Sequence, residues 1–231
     1  MITNLDQIIE EVKSKGKKRL AVAYAEDSHT LGAVSNAVDR GIVDAILVGN
    51  PENIKKICAE HNIDAEKFTI VEGSSDVKCV EIAVKMVKEG EADVLMKGLV
   101  STDKYMRGIL NKEYGLVPPK GTLSHVTVVQ VPAYHKLLTV ADVAIIPAPD
   151  LKQKIQITKN VIAVAKNLGI ECPKVAAIAP TEQMLDGIQS CVDAAILAKH
   201  GDRGTFGKAL VDGPLALDVA IDPETVKTKK L

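Results

Sequence analysis

Apolar residues in the first half of the chain occur in two alternating patterns. Short continuous apolar runs are typical of strands buried on both faces, and they occur at residues 20–23, 44–48, 68–71 and 94–96. Amphipathic spacing and capping residues predict helices near residues 5–12, 28–40, 51–61 and 76–89 and from residue 102 onward. Strands that alternate with helices in this way indicate a parallel sheet covered by helices on both sides.

The pattern changes after Asn111, and the segment 115–121 contains two adjacent prolines that predict a linker or hinge. Beyond it, strands are predicted at residues 123–131, 137–140, 143–146, 175–179 and 209–211. Helices are predicted at residues 150–168, 192–199 and 218–220, with a sharp turn at residues 212–214. The fold class is therefore α/β, with two parallel-sheet domains, residues 1–116 and 117–231, and a cleft between them.

Composition narrows the classes of function. The 231 residues are 46% hydrophobic, which is enough for a sizeable core, and the formal net charge of -1 gives no attraction to nucleic acid or membrane surfaces. No apolar run is long enough to span a bilayer, and the N-terminus lacks the apolar segment of a signal peptide. The four cysteines lack the spacing of a zinc site, so buried free thiols are expected. The sequence predicts a cytoplasmic protein with small-molecule substrates and no nucleic-acid or membrane partner.

The most informative stretch leads from the fourth strand into a helix. Gly98 allows a tight backbone turn, and Ser101 and Thr102 are suited to begin the helix that follows. A helix N-terminus after such a turn can bind an anion through its N–H groups and dipole, and Lys97 and Arg107 would add two cations. A guanidinium can bind two phosphate oxygens at once, which favours anion binding for Arg107. The same residues also fit an ordinary strand-to-helix connection with exposed Lys and Arg.

Common catalytic and cofactor signatures do not occur in the sequence. No Gly-x-Gly-x-x-Gly follows the first strand, and no Gly-x-x-x-x-Gly-Lys-Ser/Thr is found. Ser101 and Ser124 lie outside any Gly-x-Ser-x-Gly motif, so a hydrolase nucleophile is not expected. The five histidines are scattered and lack the spacing of a metal-binding pair. Neither a metal site nor a bound cofactor is predicted.

Five segments together resemble one known family. They are Leu-Ala-Val-Ala at 20–23, Gly-Ile-Val-Asp-Ala-Ile-Leu-Val-Gly at 41–49, Ala-Asp-Val-Leu-Met-Lys-Gly-Leu-Val at 92–100, Leu-Ser-His-Val at 123–126 and Val-Asp-Gly-Pro-Leu-Ala-Leu-Asp at 211–218. In this order they resemble the phosphate acetyl/butyryltransferases, and the Lys-Gly-Leu-Val and Leu-Ser-His-Val pieces are most similar to the phosphate butyryltransferases. The resemblance runs through almost the whole chain, so it is more specific than any single motif.

The resemblance implies transfer of an acyl group, butyryl or acetyl, between coenzyme A and inorganic phosphate through a ternary complex. It implies a two-domain fold like that of isocitrate and isopropylmalate dehydrogenases, with coenzyme A as a substrate and a homodimer or higher homo-oligomer formed through the second domain. It places Ser101, Thr102 and Arg107 at the phosphate or acyl phosphate, with Ser101 and Arg107 catalytic, and Ser124 near the acyl pocket. The candidates for substrate binding are Lys97, Gly98, Thr102 and Ser124.

Members of the family continue beyond the end of this chain into a segment with Ser-Arg-x-x-Asp-type residues. That segment is implied to fold back onto the first domain and to supply the base that deprotonates coenzyme A, so this chain resembles a copy that lacks it. Two other functions stay open. One is a non-catalytic module that binds phosphate or coenzyme A. The other is a decarboxylating dehydrogenase, which needs clustered aspartates for a divalent metal, with Asp142, Asp212 and Asp218 as the candidates.

Overall fold

The computed structural model describes residues 1–229, which form two compact units. Residues 9–121 form the N-terminal unit, whereas residues 1–8 join residues 122–229 in the C-terminal unit. Two main-chain contacts attach the first residues to the C-terminal unit. The N–H of Ile2 donates to the carbonyl of Leu168 at 2.8 Å, and the N–H of Leu5 donates to the side chain of Gln130 at 2.9 Å.

The N-terminal unit is a parallel sheet with helices between its strands. Helix α1 (Leu5–Ser14) leads into it. The elements that follow are β1 (Lys18–Ala23), α2 (Ser28–Asp39), β2 (Val43–Gly49), α3 (Pro51–Glu60), a 3₁₀ turn (Ala65–Lys67), β3 (Thr69–Glu72), α4 (Asp76–Lys88), β4 (Val94–Lys97) and α5 (Thr102–Ile109). The strands pair in the order β3-β2-β1-β4, and every pair is parallel.

The central strand β1 explains why both faces of this sheet are covered. Successive side chains of a strand point to opposite faces, so an uninterrupted apolar run needs an apolar layer on each side. Leu20 packs with Leu31 of α2 and Ile54 of α3 on one face. Ala21 packs with Val80 of α4 on the other face. The parallel α/β arrangement predicted from the continuous apolar runs is confirmed.

The C-terminal unit contains two separate strand pairs. Its elements are β5 (Val126–Val129), β6 (Leu138–Ala141), α6 (Leu151–Asn167), β7 (Lys174–Ile178), α7 (Gln189–Asp202), β8 (Leu210–Leu215), α8 (Leu217–Ile221) and α9 (Pro223–Lys229). Strands β7 and β8 pair in parallel, as the sequence predicts, whereas β5 and β6 pair antiparallel. No helix among residues 1–229 combines the length and the apolar character needed to cross a membrane.

Two predictions for this unit are wrong in detail. Residues 143–146 do not form a strand, because the Asp142 carboxylate accepts the N–H groups of Ala144 and Ile145 and closes a local turn. Residues 212–214 form the middle of β8 and not a sharp turn. Gly213 is needed there because a Cβ atom would lie 2.8 Å from Ala177 on the neighbouring strand. The first error missed a local turn in an apolar run, and the second assigned a turn without knowing the neighbouring strand.

Candidate functional site

The order of strands in the N-terminal unit defines where a ligand can approach the sheet. Strands β2 and β3 lie on one side of β1, and β4 lies on the other. The direction of winding therefore reverses between β1 and β4. In open parallel sheets this reversal separates the loops that follow the two strands, and ligands bind in the crevice beyond their carboxyl ends. The loops at this switch point are residues 24–27 and 98–101, and the second contains Gly98 and Ser101 of the predicted site.

The switch point is built from a close contact between two backbones. The N–H of Gly98 donates to the carbonyl of Ala23 at 2.9 Å, and the N–H of Leu99 donates to the carbonyl of Tyr24 at 2.8 Å. A Cβ atom on Gly98 would lie 2.2 Å from the Tyr24 carbonyl oxygen, so this position requires glycine. Val100 is buried in the core below the turn. Residues 98–100 are thus fixed to the end of β1 before the next helix begins.

Helix α5 begins directly after this turn with a neutral cap. The Oγ of Ser101 accepts the N–H of Lys104 at 3.3 Å, and Thr102 is the first helical residue. The side chains of Ser101 and Thr102 are both exposed. An α-helix leaves the N–H groups of its first turn without partners inside the helix, and its dipole makes this end positive. The connection therefore has the geometry that binds anions at helix N-termini.

A carboxylate accepts one backbone N–H at the start of each of the other helices at this edge of the sheet, α2, α3 and α4. Asp27 accepts an N–H in the first turn of α2, at 2.8 Å. Glu26 accepts the N–H of Asn50, the capping residue of α3, at 2.7 Å. Asp76 accepts the N–H of Val77 in the first turn of α4, also at 2.7 Å. The hydroxyl of Ser101 caps α5, as that of Ser75 caps α4, and the carboxylate in the first turn of α5, Asp103, is paired with Arg107. The first-turn N–H groups of α5 therefore lie beside a neutral cap and a neutralised carboxylate.

The two predicted cations, Lys97 and Arg107, have different hydrogen-bond partners. Lys97 is an exposed residue, and its Nζ lies 3.5 Å from the carbonyl oxygen of Gly98, next to the turn. Arg107 lies in the last turn of α5, where its guanidinium pairs with Asp103 at 3.0 and 3.2 Å. The Arg107 side chain is 78% exposed, so this pair is a surface interaction. The structure thus places Lys97 beside the Gly98 turn and holds the Arg107 guanidinium on Asp103.

Ser124 lies in the C-terminal unit. It is half-buried, and its Oγ accepts the side-chain amide of Asn160, on α6, at 2.8 Å. The three aspartates considered for a metal are engaged locally. Asp142 accepts the backbone N–H groups described above, Asp212 accepts the N–H of Gly213, and Asp218 accepts the N–H of Val219. Among residues 1–229, no three His, Cys, Asp or Glu side chains are grouped to hold a metal ion. The donor cluster required by a decarboxylating dehydrogenase is therefore not assembled in this part of the chain.

Three residues near the switch point were not singled out from the sequence. The Nζ of Lys104, in the first turn of α5, donates to Asp76 at 2.6 Å, and this hydrogen bond lowers the pKa of the Asp76 carboxyl. The negative charge of Glu26 and partial burial raise the pKa of Tyr24. Asp76 and Lys104 both stand in the first turn of a helix that follows a parallel strand. The sequence could have indicated Asp76 and Lys104 by this position, because the first turns of helices that follow parallel strands meet at one edge of a sheet.

Comparisons with known proteins agree along nearly the whole chain. The family described as Phosphate acetyl/butaryl transferase matches residues 4–83 and 77–231. A phosphate butyryltransferase of Clostridium acetobutylicum is 44% identical over 229 residues, which cover 99% of this chain and 76% of that protein. A phosphate acetyltransferase of Thermotoga maritima is 34% identical over 225 residues, which cover 97% of this chain and 76% of that protein.

Solved structures show the same fold. A branched-chain phosphotransacylase from Enterococcus faecalis V583 has a TM-score of 0.80 and 28% identity, over 92% of this chain and 74% of that chain. A phosphotransacetylase from Streptococcus pyogenes has a TM-score of 0.77 over 98% of this chain and 77% of that chain. At 18% identity, this second likeness concerns the fold alone. The α/β architecture is therefore shared with known phosphotransacylases.

Proposed function

Because the chain belongs to the phosphate acetyl/butyryltransferase family, we propose that it transfers a butyryl or acetyl group between coenzyme A and inorganic phosphate. Phosphate acyl transfer is the activity class of the family and of the relatives it matches. The 44% identity to a phosphate butyryltransferase supports butyryl as the preferred group, against 34% to a phosphate acetyltransferase. What we propose beyond membership of the family is the identity of the acyl group and the roles of individual residues.

The phosphate is proposed to bind at the N-terminus of α5. The single observation that carries this assignment is the hydroxyl-capped helix start at the switch point, directly after the Gly98 turn. The exposed hydroxyls of Ser101 and Thr102 can donate to phosphate oxygens, together with first-turn N–H groups. Lys97 adds a positive charge beside the turn. A doubly negative phosphate would thus meet a positive helix end, hydroxyl donors and an ammonium group.

The chemical step follows from this arrangement. A phosphate oxygen attacks the thioester carbonyl carbon, and the carbonyl electron pair moves to oxygen to form a tetrahedral oxyanion. Collapse of that oxyanion breaks the C–S bond, which gives acyl phosphate and the thiolate of coenzyme A. Holding both substrates in one ternary complex removes most of the entropic cost of their encounter. Cationic and N–H donors stabilise the oxyanion, and Arg107 and Ser101 are proposed for this role.

Arg107 is able to take that role because its present partner holds it weakly. An exposed ion pair between residues four apart on a helix contributes little to stability. The guanidinium can therefore leave Asp103 and bind two oxygens of a phosphate or acyl phosphate. Such an exchange replaces one carboxylate by a ligand of higher negative charge.

We expect Arg107→Ala to raise the phosphate concentration needed for half-saturation by about tenfold or more, because a charged hydrogen bond is lost. The melting temperature should remain close to that of the parent protein, since the side chain is 78% exposed. Arg40→Ala is the matched control, because Arg40 is exposed at the C-terminal end of α2. Initial rates against phosphate concentration measure the effect. Equal phosphate dependence in both variants would remove Arg107 from the site.

The proposed reaction is tested by thiol release from butyryl- and acetyl-coenzyme A. Release should require inorganic phosphate and should be matched by formation of an acid-labile acyl phosphate. Thiol release that proceeds equally without phosphate would contradict the proposal. Binding of coenzyme A with no acyl exchange would indicate a non-catalytic binding module. That alternative is not favoured, because the relatives are transferases.

Three further assignments remain proposals. Ser124 is proposed to lie near the acyl chain of the substrate, where its hydrogen bond to Asn160 would fix the hydroxyl. The family resemblance supports a homodimer or higher homo-oligomer. The cytoplasm is proposed as the compartment, and the four cysteines, all free, fit its reducing conditions.

A further inference from the structure

Tyr24 has an unusual backbone conformation at the end of the central strand. Its φ is 61°, in the left-handed region that non-glycine residues rarely adopt. It lies directly after β1, at the switch point, and its carbonyl faces the turn at Gly98. Strained residues of this kind persist where the surrounding structure holds them, and they cluster at functional sites. The hydrogen bonds around Tyr24 indicate what its conformation achieves.

The left-handed conformation turns two successive carbonyls toward the same neighbour. In a regular strand, consecutive carbonyl groups point to opposite sides. Here the carbonyls of Ala23 and Tyr24 both accept from the chain that follows β4, namely from the N–H groups of Gly98 and Leu99. The next residue, Ala25, donates its N–H to Val48 on the other side. At Tyr24 the chain therefore gains one additional hydrogen bond to the turn after β4, from Leu99. It also keeps its hydrogen bonding to β2, through Ala25 and Val48.

The turn at residues 98–100 depends on this extra bond. Gly98 lies so close to Tyr24 that a Cβ atom would overlap the Tyr24 carbonyl oxygen. One residue later Leu99 is bonded to that oxygen at 2.8 Å, while its side chain is 56% exposed and adds little packing of its own. Ser101 follows two residues after Leu99 and caps α5. The carbonyl of Tyr24 therefore acts together with that of Ala23 and the buried Val100 side chain to hold the turn from which α5 starts.

The side chain of Tyr24 accounts for the retention of a strained conformation. The ring packs against the buried cluster that includes Cys79 and Val80. The free energy of this packing offsets the cost of the left-handed backbone conformation. An exposed residue without such packing would relax to a more favourable φ. The negative charge of Glu26 and partial burial of the phenol raise the pKa of Tyr24.

We propose that Tyr24 is a positioning residue for phosphate binding, acting through its left-handed backbone and not through contact with the substrate. This inference rests on the proposed function, because it concerns the same helix N-terminus. Its role is to hold residues 98–101 so that the first turn of α5 faces the phosphate. The side chain and the backbone conformation can be separated by substitution, since glycine adopts this φ without strain and β-branched residues do not.

Tyr24→Gly and Tyr24→Val provide the test. Tyr24→Gly removes the whole ring, so it should lower the melting temperature more than Tyr24→Val does. The effect on phosphate should run in the opposite order. Tyr24→Val should raise the KM for phosphate by about tenfold or more, because displacement of a binding group by about 1 Å costs up to two orders of magnitude. Tyr24→Gly should raise it far less, because the turn is retained.

A second readout follows the turn without using activity. Hydrogen exchange of the Leu99 amide should be accelerated in Tyr24→Val and remain slow in Tyr24→Gly. If Tyr24→Gly does not fold, Tyr24→Asn replaces it, since asparagine tolerates the left-handed region. Asn62→Val is the matched control, because Asn62 has a φ of 54° just after α3. It should lower the melting temperature and leave the KM for phosphate and the Leu99 exchange rate unchanged.

The outcomes separate the two proposals. If the KM for phosphate rises in proportion to the lost thermal stability in both Tyr24 variants, Tyr24 is only a packing residue and the inference is overturned. Rapid exchange of the Leu99 amide in Tyr24→Gly would also overturn it. If the parent protein releases thiol without phosphate, the proposed function fails, whereas the Leu99 exchange rates still decide whether Tyr24 holds the turn.

Discussion

Gly98→Ala is expected to abolish phosphate-dependent acyl transfer and to destabilise the fold by about 3 kcal/mol or more. The added Cβ would lie 2.2 Å from the Tyr24 carbonyl oxygen and 2.8 Å from that of Ala23. These atoms belong to backbone beside the fully buried centre of the sheet, so they cannot move aside as a flexible side chain could. The turn must move instead, which breaks the bonds from Gly98 and Leu99 and displaces the start of α5.

Thermal melting and initial rates against phosphate concentration measure this effect. Gly32→Ala is the matched control, because it makes the same chemical change inside α2, where a Cβ atom meets nothing within 4 Å. In that helix interior alanine should stabilise by about 0.5–1 kcal/mol. A Gly98→Ala protein that melts and binds phosphate like the parent would show that the backbone contact at the switch point is not required.

Lys154→Met is expected to destabilise the protein by about 3 kcal/mol, because it leaves a buried carboxylate without its cation. The side chain of Asp193, on α7, is 7% exposed and lies 2.5 Å from the Nζ of Lys154, on α6. Burial by itself raises the pKa of Asp193, but the hydrogen bonds from Lys154 and Gln189 outweigh it and hold the pKa below its usual value.

The pH dependence of stability distinguishes this cause from a loss of packing. In the parent protein the folded pKa of Asp193 lies below the unfolded value of about 3.9, so its contribution is present above that pH and is lost on acidification. Without Lys154, burial should raise the folded pKa above the unfolded value. The deficit of Lys154→Met should therefore narrow as the pH falls from neutrality. Denaturant melts at several pH values measure it.

Lys199→Met is the control for a general effect of removing a lysine. Its partner Asp202 and Lys199 itself are 65% and 62% exposed, so this pair should contribute less than about 1 kcal/mol. A Lys154→Met deficit that stays constant with pH, or that matches the deficit of Lys199→Met, would contradict the assignment of a buried ion pair between α6 and α7.

The parts of the fold that depend on neighbouring residues in sequence were predictable. The helices near residues 76–89 and 150–168 are predicted from local signals and are capped by Ser75 and Asp150, since a capping side chain bonds to N–H groups two or three residues away. Gly98 and Ser101 were identified on the same basis. Pro51 stands in the first turn of α3, where its missing N–H costs nothing.

The parts that depend on distant residues were not predictable from one sequence. The strand order, and with it the switch point beside Gly98, is decided by which strands pair and not by any local pattern. The left-handed conformation of Tyr24 follows from its bond to Leu99 and its packing on α4. The pairing of Arg107 with Asp103 was within reach, since residues four apart on a helix face each other. Position along the chain singled out the candidate residues, whereas their arrangement in space depends on the sheet.

The central claim is that inorganic phosphate binds at the N-terminus of α5, and amide chemical shifts test it most directly. Isotope-labelled protein would be titrated with phosphate, with chloride at equal ionic strength as the control. We expect saturable shifts that are largest at residues 98–103 and that weaken in Arg107→Ala. Saturable shifts centred on the N-terminus of α2, α3 or α4, with residues 98–103 unchanged, would contradict the claim.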